Sequence, residues 1–174
     1  MSPDRPATEA VLPRILIGTD IVEAARLTAL LVDQPGLASR IFTARELSYC
    51  DGRRRGAEHL AARFAAKEAV LKALGTGLGP LMRWADVEVV NRLDGRPEIR
   101  LHGRVAAVAR RRGAERIDVS LSHTAGLAIA CALLVCQPEG RPVGAAPAHP
   151  PQRRSAVPAA GSAPVPVAAS GARR

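Results

Sequence analysis

Residues 63–77, R-F-A-A-K-E-A-V-L-K-A-L-G-T-G, constrain the chain more tightly than any other stretch, because they load one helix with charges and small side chains. Neighbours on a helix lie three and four residues apart, so Glu68 falls beside Lys72 on one edge while Arg63 and Lys67 form a second, cationic edge. Phe64 and Leu71 can then face inward. Ala61, Ala62, Ala65, Ala66, Ala69 and Ala73 favour the helix and are small enough for another backbone to come close. Gly75 stops the helix, and Gly77 and Gly79 keep the next turn flexible. Taken alone, the stretch also suits an ordinary amphipathic helix with solvated ion pairs, so the rest of the chain must decide between the two.

Beyond residue 136 the composition changes. Residues 137–174 are dominated by Pro, Ala, Gly, Ser and Arg with no hydrophobic period and are expected to be a disordered tail. Residues 1–13 read as an unpacked leader, which leaves 14–136 as one small folding unit. Of the net charge of +9, the tail carries +4 and the leader −1, and the +6 left on the folding unit suits an anionic partner: a phosphorylated cofactor, an acidic protein or a nucleic acid. One Trp, one Tyr and two Phe offer few stacking platforms for single-stranded nucleic acid. Cys50, Cys131 and Cys136 lack metal-ligand spacing and are expected to be reduced thiols of a cytoplasmic protein. Asp4 and Glu9 and the lack of an apolar core exclude a secretory signal from the leader, and the apolar run at 127–136 is too short to span a bilayer.

Upstream of the helix, I-L-I-G-T-D-I at 15–21 reads as a buried strand with Asp20 near its end. Aspartate is seldom buried there unless paired or bound to metal; Asp20 also suits the N-cap of a helix expected over 22–32, whose Ala25, Leu27, Leu30 and Leu31 are available for packing. Pro35 and Gly36 break that helix, and Thr43 followed by Glu46 is a capping box opening a short helix to about Cys50. D-G-R-R-R-G at 51–56 is a turn carrying Arg53, Arg54 and Arg55, solvated unless a phosphate lies close enough for the guanidinium forks to match.

Residues 84–91 alternate, Trp84, Val87 and Val89 against Asp86 and Glu88, and read as a strand. Asp94-Gly95 signals a hairpin into a return strand over 98–101. Residues 102–112 look helical, with Val105, Val108 and Ala109 inward, Arg110, Arg111 and Arg112 outward, and Gly113 as the stop. Strands over 117–121 and 127–135 are joined by S-H-T-A-G, which puts His123 at a strand end or turn. This mixed order with two hairpins predicts a small α+β domain with a mainly antiparallel sheet, not a doubly wound parallel one.

Three motifs, I-G-T-D-I-V-E at 17–23, the helical stretch at 63–77 and V-S-L-S-H-T at 119–124, together resemble the holo-acyl-carrier-protein synthases, the small phosphopantetheinyl transferases. The resemblance covers about residues 14–136 and includes neither leader nor tail. It implies the fold of those transferases and a homotrimer with each site at a subunit boundary. It also implies an enzyme that moves phosphopantetheine from coenzyme A to a serine of an apo acyl carrier protein, releasing adenosine bisphosphate, for fatty acid biosynthesis or polyketide synthesis.

The chemistry of that reaction explains the residue types. A serine hydroxyl attacking a diphosphate must lose a proton while negative charge is neutralised; Mg²⁺, a hard cation served by one or two carboxylates plus phosphate and water, meets the second need. The resemblance makes Asp20 and Glu68 the metal ligands and, with Lys72, the catalytic group. Lys72, one turn beyond Glu68, contacts the diphosphate as a point charge; Glu68 or a metal-bound water takes the serine proton.

Arg55, Arg63, Lys72, Gly75 and His123 match positions that bind the coenzyme, while Lys67 and Thr76 belong to the motif, Lys67 without an assigned role. The resemblance also implies that an acidic carrier protein docks on the first helix, with Arg26 and Arg40 as the basic contacts. A noncatalytic basic protein that binds nucleic acid is the alternative. It leaves Asp20 and Glu68 without a purpose, and no helix-turn-helix or zinc pattern supports it.

Overall fold

Apolar alternation near both ends of the folding unit is realised as one antiparallel sheet. The computed structural model describes residues 12–138; the leader and tail expected over 1–13 and 137–174 lie, but for 12–13 and 137–138, outside the described residues. In chain order the elements are β1 (Arg14–Glu23), α1 (Ala24–Asp33), α2 (Leu37–Ile41), α3 (Ala44–Cys50), α4 (Gly56–Ala73), a 3-10 turn (Trp84–Asp86), β2 (Val87–Asn91), β3 (Pro97–Leu101), α5 (Gly103–Arg111), β4 (Ala114–Thr124) and β5 (Leu127–Cys136). The sheet order is β1-β5-β4, antiparallel throughout, and β2 and β3 form a separate hairpin. The fold is thus α+β with antiparallel pairing, as expected.

α4 lies against β1 and β5. Buried Ala65, Ala66, Ala69 and Ala73 share one core with Ala130 and Ala132 of β5, so the helix and sheet backbones approach closely. Gly18 of β1 marks the tightest contact: a Cβ there would stand 2.0 Å from the Ala69 carbonyl oxygen and 2.5 Å from the Ala73 nitrogen. Strand side chains alternate, so Leu16, Asp20 and Val22 point to the same side as Gly18, and Ile15, Ile17 and Ile21 point away and are exposed.

Several expectations are corrected. Asp20 is not an N-cap, because β1 stays paired with β5 as far as Glu23 and the cap position of α1 falls on Glu23. This shift turns α1, which buries Ala24 and Leu27 and exposes Ala25 and Leu30. After the break at Pro35, α2 forms because Gly36 takes a φ of 85° and redirects the chain, burying Ile41 and Phe42. The strand expected from Trp84 begins at Val87, and both acids of its supposed polar face are buried. Asp86 accepts from the Arg83 guanidinium, and Glu88 accepts from Thr43 Oγ1 at 3.0 Å and pairs with His102 Nε2 at 3.1 Å.

The cationic edge of α4 is interior. Arg63 and Lys67 are both buried, which overturns the solvated reading of this helix for those two charges. At the other end of the chain, β4 and β5 extend to a two-residue turn, Ala125 and Gly126, with φ of 49° and 80°. His123 therefore lies one residue inside the end of β4.

Candidate active site

α4 gathers the candidate residues into two groups, one toward each end. In the first, Gly18 lets β1 cross close over Ala69 and Ala73, and Asp20, two residues on, meets the same helix. Lys72 Nζ donates to Asp20 Oδ1 at 2.7 Å. That bond, opposed by slight desolvation and helped by the attraction of Asp20 and of Glu68, raises the lysine above its ordinary range and keeps it an ammonium. Glu68 is held separately: its Oε1 accepts the indole Nε1–H of Trp84. The expected Glu68–Lys72 pairing is therefore an attraction only; the direct partner of Lys72 is Asp20.

Two carboxylates beside one ammonium are a donor set for a hard cation that completes its shell with phosphate and water. Asp20 and Glu68 fit Mg²⁺ in this sense. Among the described residues there is no cluster of three or more His, Cys, Asp or Glu able to hold a metal on its own.

The second group surrounds the first half of α4. Arg63 Nη2 donates to Asn91 Oδ1 at 2.7 Å, and Nη1 to the His59 carbonyl at 3.4 Å. Its guanidinium carbon lies 4.1 Å from the centre of the Tyr49 ring, and Arg53 stacks on that ring at the same distance. A cavity of about 340 Å³ lies here, walled by Arg63, Tyr49, His59, Asn91, Pro97 and His123, among others. Two buried nitrogens in its walls make no hydrogen bond: Arg63 Nε, and His123 Nδ1, which lies 3.3 Å from Glu58 Oε2 as an ion-pair contact. An unsatisfied buried donor such as Arg63 Nε is costly, and a phosphate oxygen is the kind of group that would relieve it.

Arg55 stands at the N-cap of α4, bonded to Glu58, whose carboxyl that bond holds below its usual range. With Arg53, Arg54 and His59 it lines an adjoining cavity of about 590 Å³. His59 thus borders both spaces, and the His123 ring meets it edge to face at 5.6 Å. Burial first, then the charges of Arg63, His123, Arg53 and Arg55, push His59 below its ordinary value.

Arg55, Arg63 and His123 are thus brought together, as are Asp20, Glu68 and Lys72. Gly75 joins neither group; with φ of 65° it ends the helix, and its nearest distant neighbour is the Arg112 guanidinium. Arg26 is exposed on α1 and Arg40 on α2. Sequence reasoning missed Tyr49, His59 and the indole of Trp84. Only His59, one turn before Arg63 on the same helix, carried a readable signal.

Residues 16–132 match the model of the 4′-phosphopantetheinyl transferase superfamily. The chain belongs to this superfamily. A holo-acyl-carrier-protein synthase of Moorella thermoacetica is 48% identical over 117 residues, 67% of this chain and 91% of that protein. One of Streptomyces avermitilis is 51% identical over 114 residues, 66% of this chain and 91% of that protein. The solved ACPS–CoA complex of Chronobacterium ammoniagenes superposes with a TM-score of 0.63 at 32% identity, covering 71% of this chain and 98% of that one. The superfamily match begins at Leu16 and so includes Asp20, both ends of α4 and His123.

Proposed function

We propose that this chain is a holo-acyl-carrier-protein synthase that transfers 4′-phosphopantetheine from coenzyme A to a serine of an apo acyl carrier protein, releasing 3′,5′-ADP. The observation that carries this reading is the joining of Asp20, Lys72 and Glu68 across β1 and α4, on the motif that the superfamily match includes. The nucleic-acid alternative gives these acids no work.

In this reading Asp20 and Glu68 would hold Mg²⁺, which when bound neutralises diphosphate charge. Lys72, fixed as an ammonium by Asp20, stabilises the negative charge that develops on the departing phosphate. Glu68, with Oε1 tied to Trp84, is the chain's own group for taking the serine proton. As that proton leaves, the serine oxygen bonds to phosphorus and the phosphorus–oxygen bond to the departing 3′,5′-ADP breaks. Arg63, with its unbonded buried Nε, His123 and, beside them, Arg55 receive the other phosphate of the coenzyme. Gly75 contributes the helix stop next to Lys72.

Arg26 and Arg40 provide the cationic contacts for the acidic carrier protein. We further assign a homotrimer with sites at subunit boundaries. Its support is the outer face of the sheet, where Ile17 is 62% and Ile21 64% exposed and Ile15, Leu127 and Ile129 extend the same layer. The folding unit is 14–136, and the free thiols of Cys50, Cys131 and Cys136 suit a cytoplasmic enzyme. No helix among the described residues is long and apolar enough to cross a membrane.

Intact-mass analysis tests the activity: an apo acyl carrier protein is incubated with the chain, coenzyme A and Mg²⁺, beside EDTA and Asp20→Ala controls. A gain of one phosphopantetheine, lost in both controls, is the expected result. No gain with fatty-acid and polyketide carriers alike, and no coenzyme binding, would overturn it.

A further inference from the structure

Lys67 is the one charge of the helical motif that the reaction above does not use, yet it is 0% exposed. Its ammonium has three N–H groups and three acceptors: Glu46 Oε2 at 2.8 Å, the Trp84 carbonyl at 3.3 Å and the Val87 carbonyl. Glu46 in turn accepts the Thr43 amide at 2.8 Å on Oε2 and the Val89 amide at 3.0 Å on Oε1. The lysine therefore fastens to α4 both the start of the 3-10 turn, Trp84, and the residue that follows it, Val87. The same Trp84 donates its indole N–H to Glu68, the residue next to Lys67 on the helix, and its ring lies 6.0 Å from that of Phe64. The backbone and the side chain of one residue are thus bonded to two successive residues of α4.

We propose that Lys67 and Trp84 are positioning residues that set the orientation of the Glu68 carboxylate: Lys67 anchors the turn, and the turn presents the indole donor to Oε1. Outer partners of metal-binding groups act in this way, fixing the direction of the lone pairs that remain for the ion. The proposal rests on the assignment of Glu68 as a metal ligand and deepens it.

Trp84 is the chain's one tryptophan, so a proton–nitrogen correlation spectrum of the metal-free protein has a single indole signal. The expected result is that Glu68→Gln moves this signal upfield, as loss of a charged acceptor requires. The double variant Lys67→Met/Glu46→Gln, which removes both buried charges together and so leaves neither unpaired, should move it the same way while the amide signals stay dispersed. Trp84→Phe, which keeps the contact with Phe64, should raise the Mg²⁺ concentration for half-maximal transfer by about tenfold with little change in KM for coenzyme A. An indole signal that ignores Glu68→Gln or the Lys67 variant, or an unchanged Mg²⁺ dependence in Trp84→Phe, would overturn the proposal. Loss of the functional reading is distinguishable, because it would abolish transfer by the unaltered protein and leave the spectral arm intact.

Discussion

Lys72 reaches from α4 to Asp20 on β1, 52 residues away in sequence, while Glu68, one turn back on its own helix, bonds to Trp84 instead. The pair is the more informative because only one of its members lies in the long helical motif.

Asp20→Asn should therefore return Lys72 toward the ordinary lysine value of about 10.4, read from the side-chain nitrogen shift on titration. The sign follows from the raised pKa. The stabilisation that the pair gives is fully present below the ordinary value and is lost as pH rises through the raised one. Unaltered protein should thus lose a small stability increment at alkaline pH that Asp20→Asn lacks.

Gly18→Ala places a methyl group where the Ala69 carbonyl oxygen already stands, so β1 must move off α4. Overpacking of this kind costs about 1–3 kcal/mol, measurable by urea denaturation. Because Asp20 follows two residues later on the same strand face, transfer activity should fall by more than the change in folded fraction explains.

Arg63→Lys keeps the charge but removes the fork that spans Asn91 and the His59 carbonyl and the flat surface that stacks on Tyr49. Calorimetric affinity for 3′,5′-ADP should drop about tenfold or more, corresponding to about 1.4 kcal/mol. Equal affinity would remove Arg63 from the coenzyme site.

His59 should be neutral at pH 7 in the free protein. Its lowered pKa means that the associated stability is present above the ordinary value of about 6.5 and is lost as pH falls toward the lowered one. A phosphate among Arg53, Arg55 and Arg63 offsets those charges, so 3′,5′-ADP should raise the His59 titration and be taken up with protons near pH 6, seen in the ring carbon shifts.

Local signals were legible in proportion to how local their causes are. The Thr43–Glu46 capping box forms as read, since its two bonds join residues three apart. The Asp94-Gly95 hairpin and the Gly113 stop likewise depend on backbone angles that glycine permits. Burial of Lys67, Asp86 and Glu88 was not legible, although each is charged and sits in a pattern that suits exposure. For Lys67 and Glu88 the compensating partners are remote: Glu46 is 21 residues from Lys67, and Thr43 is 45 residues from Glu88. For Asp86 the bonds are local, to Arg83, and the missed step was the 3-10 turn that buries its carboxylate beside Gly103. The candidate site was read from motif resemblance, and the fold supplied its actual pairings.

Lys67 and Glu68 are consecutive on α4, yet one is sealed inside and the other is half-buried with its carboxylate on the Trp84 indole. A single-residue insertion upstream in that helix would turn both by about 100°, moving the carboxylate to the buried place of Ala69 and the ammonium to the half-buried place of Glu68. The rotational phase of α4 therefore couples integrity of the interior to competence of the site. Substitutions can tune this helix, but a one-residue insertion between Arg63 and Lys72 would remove stability and chemistry in one event.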